Sequence, residues 1–171
     1  GVTTLIARHG KVVHMDTYGA ANAATGDALK PDSIFRIASM TKPITSVALM
    51  QLVEQGRIGL DDPAETFLPE LASLKVFESF DAATGAYVLR PAARPATVRH
   101  FLTHTSGLAY PFTSPIWRDF TPRAGETYPF GGPLLFDPGE RWHYSTSTDV
   151  VGRLVEVVSG QKLEEYFRQH I

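Results

Sequence analysis

The sequence contains no cysteine. That excludes a disulfide framework, a thiol nucleophile and any cysteine-ligated zinc. Net charge is only −2 at pH 7, and the basic residues are scattered without a run or an aromatic–basic stripe. No general polyanion-binding surface is implied, and nucleic acid is not expected as a partner. No apolar stretch reaches membrane-spanning length and the first residues show no signal-peptide pattern, so no membrane association is expected. The compartment stays open with the cytoplasm as the default, because a mature secreted chain would read the same. There is no internal repeat, no low-complexity tract and no Gly-x-Ser-x-Gly elbow. What remains is a globular composition, 43% hydrophobic and 11% aromatic over 171 residues, suited to one domain or part of a larger one.

The most informative stretch is Ser39-Met40-Thr41-Lys42. A short apolar run, residues 33–38, leads into it. Downstream, Ile44, Val47, Ala48 and Leu52 follow a helical period, Leu49, Met50 and Val53 widen the apolar face, and Gly56 is placed to end the helix. Pro43 fits only the first helical turn, where its missing N–H is not needed. Ser39 is therefore expected at the start of a largely buried helix, among unpaired N–H groups that favour developing negative charge. Lys42 lies one turn on, within reach of Ser39. Burial is expected to lower the Lys42 pKa, so that the pair forms a nucleophile with its own base. The same spacing recurs at Ser159-Gly160-Gln161-Lys162, but glycine directly after that serine breaks the helix the chemistry needs.

The rest of the chain supplies context. Val2–Arg8 and Lys11–Tyr18 read as a hairpin turning at His9-Gly10, and residues 19–30 as a loop. Asp62 and Pro63 suggest a cap and first position of a short helix running to Phe67, with a stop near Pro69. Two strands flank Asp81–Gly85, and a helix over residues 97–102 is capped near Ala96 or Thr97. His104-Thr105-Ser106-Gly107-Leu108 reads as a packed turn with Gly107 in a special backbone conformation. Residues 109–137, rich in proline and aromatics, read as a long irregular segment around a pocket. Tyr144 falls on a loop after a Pro-Gly turn, just before a helix from about Asp149 to Val158 that Ser147 or Thr148 would cap. A last helix begins at Lys162.

In this order and spacing, Ser39-Met40-Thr41-Lys42, His104-Thr105-Ser106-Gly107-Leu108 and Tyr144-Ser145-Thr146 resemble the serine β-lactamase and penicillin-recognising superfamily, most of all its family VIII carboxylesterases and class C β-lactamases. The resemblance implies an α+β, β-lactamase/transpeptidase-like fold: an antiparallel sheet flanked by helices, plus a mostly helical region. It implies residues 1–60 as hairpin and nucleophile helix, and 61–171 as the helical and loop region carrying the tyrosine. It also implies an acyl-enzyme hydrolase acting on a small-molecule ester or amide with no metal or cofactor. Ser39 would be the nucleophile and its N–H half of an oxyanion hole, Lys42 and Tyr144 the shared base, and Trp142 and Thr146 substrate contacts. Where class C β-lactamases carry Asn, this chain has Thr146, which leans toward short-chain esters. The family's third motif, on a later strand, is absent before Ile171. The expectation is therefore an incomplete catalytic unit, completed by a C-terminal part of the enzyme as a further segment or a second chain. Alternatives are a β-lactamase or D-Ala-D-Ala peptidase, an acyltransferase, and a non-catalytic binding module on the same scaffold.

Overall fold

The computed structural model describes residues 1–171 and divides into two compact units, Gly1–Ala38 and Ser39–Ile171. In the first unit, β1 (Val2–Arg8) and β2 (Lys11–Tyr18) pair antiparallel, as expected. His9 and Gly10 both take positive φ (51° and 75°), which suits the tight hairpin turn whose twist matches its strands. The register shifts after Ile6, where β2 carries one residue more than β1. The expected loop that follows holds a second, very short antiparallel pair, β3 (Ala20–Asn22) and β4 (Asp27–Ala28). Asn22 makes the turn between them, its side chain accepting the Ala24 N–H at 3.0 Å and its carbonyl the Gly26 N–H at 2.9 Å.

A 3-10 turn, Ala38–Met40, runs directly into α1 (Thr41–Glu54), the first helix of the second unit. Gly56, at φ 69°, ends the helix as its position predicted. The helix expected at Asp62-Pro63 does not form. The Asp62 carboxylate turns back to accept the Gly59 N–H at 2.6 Å, and Pro63, extended at ψ 121°, pairs with Thr97. Only a 3-10 turn at Ala64–Thr66 follows, and Pro69, expected as a stop, opens another through Ser73. β5 (Lys75–Phe80) and β6 (Tyr87–Pro91) pair around the Asp81–Gly85 turn, as expected. α2 (Val98–Leu102) starts after Thr97, whose N–H is accepted by His100 Nδ1 at 3.1 Å. Residues 109–137 are irregular apart from α3 (Pro115–Asp119) and a 3-10 turn at Pro129–Gly131. Two helices close the unit, α4 (Ser147–Ser159) and α5 (Leu163–His170). Thr146, rather than Ser147 or Thr148, stands at the N-cap of α4 and makes no side-chain cap bond.

The architecture is α+β, with three separate two-stranded antiparallel sheets. The core of the second unit forms where α1 meets α4: Ala48, Leu49 and Leu52 bury with Val150, Val151, Leu154 and Val155. Each fully buried Val or Leu side chain contributes about 1.5–3 kcal/mol. Gly152 permits the close approach of the helices, since a Cβ there would lie 3.1 Å from Leu163 Cδ2 and 3.8 Å from Thr45 Cγ2. The packing sets the nucleophile helix against a helix of the later half of the chain. It corrects the expected largely buried helix, because α4 covers one face only and Val47 and Met50 remain 50% and 42% exposed. No helix is long and apolar enough to cross a membrane.

Candidate active site

Ser39 sits in the 3-10 turn that leads into α1, and a turn of that kind places residues i and i+3 above one another. Lys42 Nζ accordingly donates to Ser39 Oγ at 3.2 Å. Ala38, just before the serine, holds φ at 46°, a conformation that non-glycine residues adopt at a cost of about 1–3 kcal/mol and that concentrates at functional positions. Tyr144 arrives from the loop before α4. Its neighbours are pinned on both sides, with His143 N–H donating to the His104 carbonyl at 2.8 Å and Thr146 N–H to the Ala109 carbonyl at 3.4 Å. The Tyr144 carbonyl itself accepts the Thr113 hydroxyl at 3.2 Å. So held, the phenol O–H donates to Ser39 Oγ at 2.6 Å. One serine oxygen thus receives both an ammonium and a phenol.

The electrostatics overturn one expectation. Partial burial does push Lys42 down, but the Tyr144 and Tyr110 phenols beside it outweigh that, and its pKa stands above the ordinary lysine value. Its Nζ lies 4.9 Å from the centroid of the Tyr144 ring and 5.6 Å from that of Tyr110. Tyr144 moves the opposite way. Its pKa falls below the ordinary phenol value, because of Lys42 first and the bond to Ser39 second. The two shifts describe one thing: the neighbourhood favours ammonium beside phenolate, and the pair titrates together. Ser39 Oγ thus lies against a phenol whose anion the adjacent Lys42 ammonium favours.

Trp142 and Thr146 are not drawn into this network. Trp142 is 66% exposed and meets only the edge of His104, ring centroids 6.3 Å apart. The Thr146 hydroxyl donates to the Phe130 carbonyl at 3.2 Å. The sequence reading missed Tyr110 as a neighbour of Lys42, and also His104, whose ring stands 5.0 Å from that of Tyr144. Tyr110 carried no signal among the many aromatics of its segment. Turn residues 104–108 pack as expected: Gly107 has φ 93°, and a Cβ there would collide with the Phe136 carbonyl oxygen. No group of three or more His, Asp or Glu side chains is gathered to hold a metal.

An acyltransferase of Penicillium decumbens, calJ, is 40% identical over 153 residues, covering 84% of this chain and 36% of the relative. The esterase EstB of Burkholderia gladioli is 33% identical over 177 residues, covering 95% of this chain and 42% of the relative. Among solved structures, a mutant of the simvastatin synthase LovD from Aspergillus terreus superposes with a TM-score of 0.83 at 34% identity, covering 99% of this chain and 47% of that one. The chain thus spans less than half the length of these relatives. The Beta-lactamase family model matches residues 1–171 throughout, and the chain belongs to that family.

Proposed function

We propose that Ser39 is the nucleophile of an acyl-transfer enzyme whose donor is a carboxylic ester, with Tyr144 and Lys42 as its shared base. The observation that carries this reading is the convergence of Lys42 Nζ and Tyr144 OH on Ser39 Oγ. With Tyr144 ionised, the bond to Ser39 reverses and the serine donates. As Oγ attacks the ester carbonyl, its proton passes to the phenolate. The same proton then goes from Tyr144 to the departing alkoxide, leaving an acyl-serine and a free alcohol. Water or a second alcohol repeats the sequence in reverse, giving up its proton to Tyr144 and releasing acid or new ester. The Ser39 N–H, at the entry to α1, is one donor for the tetrahedral oxyanion, a role worth about 2.7–4 kcal/mol where it has been removed in enzymes of this chemistry.

The acceptor is water or an alcohol. One relative is named an acyltransferase and another an esterase, which supports both. Esters are favoured over β-lactams because Thr146 has no amide to pair with an acylamino group, and its hydroxyl is already engaged by Phe130. Trp142, exposed beside the site, is offered as a substrate contact. The test takes the full-length protein. A fluorophosphonate should label Ser39, and kcat/KM for a short-chain nitrophenyl ester should far exceed that for a chromogenic cephalosporin. Added alcohol should divert product from acid to ester if transfer competes with hydrolysis. Absence of label on Ser39 would return the chain to a non-catalytic binding role, and preference for the cephalosporin would make it a β-lactamase.

A further inference from the structure

Behind Tyr144 lies a chain of hydroxyls that the proposed reaction does not use. The Leu108 N–H donates to Ser106 Oγ at 3.2 Å, Ser106 Oγ lies 2.8 Å from Ser147 Oγ, Ser147 Oγ 2.7 Å from Ser145 Oγ, and Ser145 Oγ 3.3 Å from His104 Nδ1. All three serines are fully buried. Buried hydroxyls demand partners, so the direction of each bond follows from counting hydrogens. The Ser145 N–H also points at His104 Nδ1, at 3.3 Å, and the Ser147 N–H at Ser145 Oγ, at 3.2 Å. A donor aimed at Nδ1 requires a lone pair there, so the ring hydrogen sits on Nε2. One direction then satisfies every hydroxyl: Ser106 donates to Ser147, Ser147 to Ser145, and Ser145 to His104. Protonating Nδ1 would set its N–H against that of Ser145 and force the hydroxyls to reverse direction.

We propose that His104, its Nδ1 locked as an acceptor by the Ser106–Ser147–Ser145 chain, is the positioning residue that holds the Tyr144 ring on Ser39. The inference rests on the acyl-transfer reading above. The two rings stand 5.0 Å apart and tilted by 45°, and the His104 carbonyl fixes the residue before Tyr144 through the His143 N–H. The chain therefore reaches Tyr144 by side chain and by backbone at once. A neutral ring matters here. Lys42 of α1 faces the same space, with Asp149 of α4 in its electrostatic range, and the His143 ring turns away toward Thr113. Burial first and the Lys42 charge second keep His104 below the ordinary imidazole pKa, so the site holds one cation rather than two.

The test reads the ring directly and then breaks the chain, in the full-length protein. Imidazole 15N shifts should show His104 neutral, with hydrogen on Nε2, at pH 7. Two variants follow. H104F keeps a ring and loses the acceptor, while S147A cuts the chain at a distance from Ser39. Each should lower kcat for ester acylation by ~10- to 100-fold with KM unchanged, the cost of a small displacement at a reacting centre. Each should also move the pH limb of Tyr144 upward toward that of an ordinary phenol. A merely structural role would lower the melting temperature and leave that limb in place. If H104F does not fold, the tautomer and S147A decide. Hydrogen on Nδ1, or wild-type kcat and limb in a folded variant, overturns the proposal. Failure of Ser39 to take the fluorophosphonate is seen before any variant is scored and counts against the acyl-transfer reading instead.

Discussion

The chain contains the same four-residue spacing twice, and only one copy assembles a site. In the first, Ser39 to Lys42 is helical throughout, a 3-10 turn merging into α1, and the lysine reaches the serine at 3.2 Å. In the second, Ser159 is the last residue of α4, Gly160 turns left-handed at φ 75°, and Lys162 is extended at ψ 144° as the entry to α5. There the serine hydroxyl serves the helix end, donating to the Glu156 carbonyl at 3.5 Å and accepting the Gln161 N–H at 3.1 Å. A spacing is therefore only as good as the backbone between its ends. The second difference is tertiary. Tyr144 is delivered to Ser39 by a loop 105 residues later in the chain, and nothing comparable meets Ser159.

The sharpest way to test the contrast is at the two serines. Ser39→Ala should abolish the acylation burst while leaving the fold intact, and Ser159→Ala should leave it unchanged. Full activity in Ser39→Ala would erase the distinction. Next come the partners. Lys42→Ala and Tyr144→Phe should each slow acylation by roughly 10²- to 10⁴-fold, the range for a positioned acid or base. Their double variant should be little worse than either, since groups acting as a unit are non-additive. Losses that multiply would mean two independent roles. Lys162→Ala, the matching change in the second copy, should alter nothing in single-turnover kinetics.

A pH profile sharpens the same comparison. The unperturbed values are about 10 for a phenol and about 10.4 for lysine. Tyr144 is depressed, so acylation should rise with pH through a limb below ~10, and it should fall above ~10.4 as the raised Lys42 finally deprotonates. For stability the signs oppose. The Tyr144 contribution is full above the unfolded phenol value and is lost as pH falls through its folded pKa. That of Lys42 is full below the unfolded lysine value and is lost as pH rises through its folded pKa. Both are full together only near pH ~10, and at neutral pH the Lys42 contribution alone remains. In Lys42→Met the lower limb should move up, and in Tyr144→Phe it should vanish. Lys162→Met should leave the profile as it was.

What was legible in the sequence was local. The β1–β2 hairpin announced itself by β-branched runs around His9-Gly10, α4 by its apolar period, and the start of α1 by Pro43. What was not legible depended on distant partners. Asp62-Pro63 is sound helix-capping chemistry, but Thr97 claims Pro63 for an extended pairing. Burial alone argues for a lowered Lys42 pKa, and two phenols from other segments reverse the sign. The packing of α1 on α4, a helix roughly a hundred residues later, was also out of reach of local patterning. His104 and the buried serines around it were readable as a packed turn, yet not as a directed chain, since the direction follows only once Ser145 and Ser147 are brought beside the turn.

The smallest expected effect is at Gly160, the residue that spoils the second copy. A Cβ there meets nothing within 4 Å, so Gly160→Ala carries no clash and costs only the left-handed backbone. That cost is roughly 1–2 kcal/mol. For a domain of this size about 1 kcal/mol corresponds to a melting-temperature drop of roughly 2–4 °C, measurable by thermal unfolding. Activity should not change in either direction. If the substitution stiffened the backbone toward a helix through Gln161, Lys162 would come nearer Ser159, but no phenol would be waiting and α5 would lose its extended entry residue. Ester hydrolysis attributable to Ser159 in a Ser39→Ala, Gly160→Ala protein would show that spacing and helicity suffice without a tyrosine. Silence there, beside loss of activity in Tyr144→Phe, would establish the phenol as the component that separates the two copies.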